Sequence, residues 1–160
     1  MRHLALLLAL CPTLVMAETP VIAPMTNRDG WRVIDSAKPY AVLVDALKSA
    51  TGDSPLRVVT EAGPTEAARK LDVILPGNRV IGVFAPQYAV RILPLSTAAM
   101  IEAPIRFYVT EDADGSATLA WKTPSHVFAP YMPEGGDELA AIAAELDAHF
   151  DAIAKVATAE

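Results

Sequence analysis

The sequence is poor in thiols. Its one cysteine, Cys11, stands inside an apolar N-terminal run. The rest of the chain therefore has no disulfide to staple it and no thiolate chemistry. A second hydrophobic stretch is also missing, because nothing after that run reaches the ~20 apolar residues that a spanning helix needs. Positive charge is scarce, with 13 Lys and Arg against 19 Asp and Glu and a formal net charge of −6. Nucleic-acid affinity comes from phosphate neutralisation by Lys and Arg, so this balance argues against a nucleic-acid partner. There is no internal repeat, no low-complexity tract and no nucleophile elbow.

What is there begins with an export signal. Met1 to Ala17 has a positive start at Arg2, an apolar body from Leu4 to Met16 broken by Pro12, and a Val15-Met16-Ala17 end. That layout predicts a signal peptide over 1–17 and a periplasmic mature chain. Cys11 would leave with it. Lipidation at Cys11 is not expected, since Leu10 before it is bulky. Residues 18–30, with Pro, Thr and Asn and no period, read as a flexible lead-in. Residues 31–157 are expected to form one domain, of a size that supports its own core.

The centre of that domain is Ile105 to Lys122, IRFYVTEDADGSATLAWK. Two runs rich in β-branched and aromatic residues flank an Asp/Gly cluster, which signals a β-hairpin. A two-residue loop would set Tyr108 opposite Trp121. A three-residue loop, Ala113-Asp114-Gly115, instead pairs Phe107 with Trp121 and Val109 with Leu119. The second register puts Gly115 where a type I turn needs a left-handed residue. It also gathers Ile105, Phe107, Val109, Leu119 and Trp121 on one core face, and a one-residue slip would turn them all outward. The other face then carries Arg106, Tyr108, Thr110, Thr118, Ala120 and Lys122.

Around the hairpin the pattern predicts a strand at 31–34 and a helix from Pro39 to Gly52 with Tyr40, Leu43, Val44, Leu47 and Ala50 on one face. A strand at 56–60, a brief helix at 65–71, a Pro76-Gly77 turn and a strand at 79–84 follow. Residues 87–93 read as helical, and 96–101 as another turn or two. Pro124, Pro130 and Pro133 suggest a loop from 124 to 136. A last helix, capped by Asp137 and running from 138 to about 156, would bury Leu139, Ile142, Leu146, Phe150 and Ile153. The order predicts an α+β fold, a mostly antiparallel sheet with helices on one face.

The run RVIGVFAP, a helical insert, APIRFYVTEDADG, a second strand and WKTPSHVFAPY together resemble the domain of unknown function 302 family. Pro86, Ala103-Pro104, the Glu111 to Gly115 turn and Thr123-Pro124 stand where that family has its Pro and Glu-Asp-x-Asp-Gly positions. The resemblance spans roughly Trp31 to Ala157. It implies a small α+β fold of TATA-binding-protein-like arrangement, a homodimer as one assembly, and no established activity. Phe84-Ala85 replaces a common Gly-Asn, and Thr60-Glu61 replaces an Asp-His pair, so no metal or acid/base role carries over from that pair.

Asp112-Ala113-Asp114-Gly115 has Thr110 and Trp121 where a calcium loop needs carboxylates, so it reads as a turn. Glu145 and His149 share a helix face but lack further ligands, so no metal and no cofactor is expected. Ser125 and His126 are neighbours in sequence, which does not make a triad. Arg106, Tyr108 and Lys122 are the better candidates. Two adjacent cations beside a phenol suit a small anion, with His126 a further ligand contact, although an ordinary wet sheet face needs no ligand at all. The expected function is non-catalytic binding of a small ligand, anionic given those cations, or of an envelope protein partner. The alternative is a small hydrolase or metal-dependent enzyme using His126 with Glu61 or Glu111, which requires those groups to converge.

Overall fold

In the computed structural model, which describes residues 23–160, five strands form one antiparallel sheet. The expected signal segment and residues 18–22 lie outside the described residues. In chain order the elements are β1 (Trp31–Ser36), α1 (Tyr40–Gly52), β2 (Arg57–Ala62), α2 (Thr65–Arg69), β3 (Asn78–Phe84) and α3 (Pro86–Ile92). A 3₁₀ turn at Ala98–Glu102, β4 (Ile105–Glu111), β5 (Ala117–Lys122), α4 (Pro124–Phe128), a second 3₁₀ turn at Ala129–Tyr131 and α5 (Met132–Thr158) complete the chain. The strand order is β1-β5-β4-β3-β2, and every neighbouring pair is antiparallel. This is the α+β architecture expected from the element order. No helix among the described residues is long and apolar enough to cross a membrane.

The hairpin holds two of the three inner positions of the sheet. Phe107 pairs with Trp121 and Val109 with Leu119, so the three-residue loop sets the register. The Gly115 N–H donates to the Asp112 carbonyl at 3.0 Å and the Asp112 N–H to the Ser116 carbonyl at 2.9 Å. Gly115 has φ of +86°, a conformation glycine adopts without a Cβ clash. Ile105, Phe107, Val109, Leu119 and Trp121 are all buried, joined there by Ile81 and Val83 of β3. Above them lie Leu43 and Leu47 of α1 and Leu139, Ile142, Leu146, Phe150 and Ile153 of α5, in a single core. Phe107 meets both the Phe150 and Trp121 rings, so the sheet centre and α5 share one aromatic cluster.

Three expectations need correction. Residues 124–136 are not a loop, because α4, a 3₁₀ turn and the start of α5 occupy them. Their prolines sit in first turns, where a missing N–H costs nothing, so they open helices rather than stop them. The expected break before Asp137 survives only as a kink at Gly136, with φ of +55° and ψ of −149°. Pro76-Gly77 is not a turn. Gly77 is bonded across to Glu111, whose N–H donates to the Gly77 carbonyl at 2.8 Å, so long-range pairing overrides the local preference. Pro39 precedes α1 in an extended conformation instead of lying in its first turn.

Candidate functional site

Alternation along the strands puts Trp31, Val33 and Asp35 of β1 on the sheet face opposite the helical core. Thr118, Ala120 and Lys122 of β5 share that face, with Arg106, Tyr108 and Thr110 of β4 and Asn78 and Val80 of β3. Charge is sorted along it. Near the hairpin turn, the buried Thr118 hydroxyl donates to Asp112 Oδ2 at 2.8 Å, with Asp35 Oδ1 at 3.2 Å. At the other end stand Arg106 and Lys122, one step beyond the Phe107–Trp121 pair on adjacent strands.

That basic end opens into a hollow of about 420 Å³. Arg106, Tyr108 and Lys122, the residues singled out from the sequence, all line it. Among the described residues neither cation enters an ion pair. Lys122 Nζ lies 5.6 Å from the centre of the Trp31 ring, and the Arg28 guanidinium approaches the same ring at 5.6 Å. Asn78 Nδ2 donates to the Tyr108 hydroxyl, which orients the phenol. Glu102 is the acid of the lining, and the Tyr131 hydroxyl donates to its Oε1 at 2.8 Å. That bond to a carboxylate holds the Tyr131 phenol above its usual pKa.

Sequence reasoning missed Trp31, Asn78, Val80, Glu102 and Val127, which complete the wall with Ile105, Phe107 and Trp121. Period-two alternation would have put Trp31 and Val33 on one face of β1. No local signal pairs β1 with β5, and that pairing sets Trp31 opposite Lys122. An apolar cavity beside Tyr88 and Phe150 has room for only about 30 Å³, the scale of a water.

His126 is not in the lining. It is exposed on α4, where the Thr123 hydroxyl accepts from its backbone N–H at 3.3 Å. Its imidazole lies against Gly30, so close that a Cβ there would stand 2.0 Å from its Cγ. The acids proposed to work with it are engaged elsewhere. Glu61 pairs with Lys48 at 2.7 Å and Arg79 at 3.1 Å, and Glu111 Oε2 accepts the Gly77 N–H at 2.6 Å. The hydrogen bond from Lys48, reinforced by Arg79, holds the Glu61 carboxyl below its ordinary value. His126, Glu61 and Glu111 are therefore not gathered into one site. On α5, Glu145 makes a two-pronged pair with Arg91 at 2.6 and 2.9 Å, and His149 Nε2 bonds the Tyr88 hydroxyl at 2.8 Å. Arg91 draws the Glu145 carboxyl below its ordinary value. Among the described residues no group of three or more His, Cys, Asp or Glu is arranged to hold a metal.

The family model for DUF302, described as a domain of unknown function, matches residues 33–156. A solved chain of similar fold is the uncharacterized conserved protein DUF302 from Bacillus stearothermophilus. It superposes with a TM-score of 0.69 at 16% identity, covering 79% of this chain and 96% of that one. No curated protein matches the sequence.

Proposed function

This chain belongs to the DUF302 family of domains of unknown function, and from its own side chains we propose that it is an exported, non-catalytic domain that binds a small anionic ligand. The observation that carries this reading is the pair Arg106 and Lys122, two cations without a carboxylate partner among the described residues, around a hollow of about 420 Å³. In a chain of net charge −6, a local excess of positive charge supports recognition of an anion by charge-assisted hydrogen bonds. Its volume is in the range of small-molecule sites. Tyr108, held by Asn78, adds a polar group of fixed direction. Export rests on the signal-like segment Met1 to Ala17, and the periplasm is the compartment it implies.

The test is native mass spectrometry of protein purified from its own periplasm, wild type beside an Arg106→Ala/Lys122→Ala variant. A bound small-molecule mass on the wild type that disappears from a folded variant is the expected result. An identical bound mass on both, or none on either, ends the anion reading. The same spectrum gives the subunit number, and the N-terminal residue of the mature chain is expected to be Glu18.

A further inference from the structure

We propose that the ligand of this hollow is a monocarboxylate with an apolar body, not an inorganic oxyanion; this rests on the anion-binding reading above. Charge comes first. Arg106 and Lys122 against Glu102 leave the lining one positive charge in excess, which one carboxylate neutralises. A dianion would bring a second negative charge beside Glu102 into a partly desolvated space, where like charges repel more strongly than in water.

The two cations are also unequal. Lys122 already faces the Trp31 ring, while Arg106 has no ion pair among the described residues. Arg106 thus offers a planar fork that matches a carboxylate with two parallel hydrogen bonds. The side chains of Trp31, Val80 and Val127 give the rest of the wall an apolar surface. A bare oxyanion would fill little of about 420 Å³ and leave that apolar surface wet. An apolar body attached to the carboxylate covers it.

The Trp31 side chain lines the hollow, and the chain's other tryptophan, Trp121, lies behind it on the core side of the sheet, so intrinsic fluorescence reports on the site. The experiment titrates the purified mature protein with 4-phenylbutyrate, its neutral analogue 4-phenylbutanamide, and inorganic phosphate, by fluorescence and calorimetry. 4-Phenylbutyrate is expected to shift the emission and to bind at least tenfold tighter than either of the others. Arg106→Ala should weaken it tenfold or more and abolish the preference over the amide. Phosphate binding as tightly as 4-phenylbutyrate, with both lost in Arg106→Ala, overturns the monocarboxylate while the anion site stands. Amide and acid binding equally, indifferent to Arg106→Ala, overturns both readings, as does the absence of binding by either anion.

Discussion

The Phe107 and Phe150 rings are stacked, with centroids 4.4 Å apart and planes inclined by 23°, and this contact joins the middle of the sheet to α5. Both side chains are fully buried, and Trp121 meets Phe107 edge-on at 5.7 Å. Phe150→Ala would leave a cavity between layers that cannot collapse without moving α5. The expected loss is about 3–5 kcal/mol, the usual cost of truncating a buried aromatic residue. Urea unfolding checks it; a midpoint within experimental error of wild type would show that the two layers are held together elsewhere.

Glu111 and Gly77 exchange two hydrogen bonds, one through the backbone and one from the Gly77 N–H to Glu111 Oε2 at 2.6 Å. Gly77 is buried, so Glu111→Ala strands its donor away from water. The expected cost is about 1–3 kcal/mol. Glu111→Gln keeps an acceptor oxygen and should lose less. Equal losses in the two variants would mean that the carboxylate acts through its charge and not as an acceptor.

Gly30 combines φ of +72° with direct contact on the His126 side chain. Gly30→Ala must both strain the backbone and push His126 aside, so about 1–3 kcal/mol of stability should be lost. His126→Ala alone should change stability by less than about 0.5 kcal/mol, as expected of an exposed side chain. The double variant should recover only part of the Gly30→Ala loss, because the positive φ and the contact with the His126 Cβ remain. Thermal melts of the three variants decide this. Full recovery would place the whole cost in the ring contact.

Glu61 makes stability depend on pH in a stated direction. Its carboxyl is held below the ordinary 4.5 by the Lys48 hydrogen bond and then Arg79. A depressed folded-state pKa contributes stability that is fully present above the unfolded value and is lost as pH falls through the folded one. Its side chain is 27% exposed, so the pair is treated as a screened surface pair worth at most about 1 kcal/mol. Glu61→Gln should therefore unfold at lower urea than wild type at pH 7, and the gap should close as pH drops below 4.5. It should also shrink in high salt. A gap that persists at pH 3 would rule out the ionic origin.

Local signals made much of the fold legible. The hairpin register followed from loop length, the placement of Gly115 and the cost of turning Phe107 and Trp121 outward, all of which act within about eighteen residues. Leu139, Ile142, Leu146, Phe150 and Ile153 announced the α5 stripe through helical spacing. Prolines 124, 130 and 133 misled because proline opens a helix as readily as it breaks one, and only the surrounding backbone distinguishes the two. Gly77 misled because a cross-strand partner 34 residues away outweighed its turn preference.

For the candidate site, the chain alone placed Arg106, Tyr108 and Lys122 on one side of a hairpin, because the three-residue loop sets the register and strand alternation then fixes the face. Tertiary structure decided the rest. Pairing β1 with β5 put Trp31 against Lys122, pairing β3 with β4 brought Asn78 to Tyr108, and the 3₁₀ turn and α4 supplied Glu102 and Val127. The physical reason is that antiparallel partners distant in sequence are chosen by which arrangement buries the most apolar surface, a property of the whole chain that no local period records.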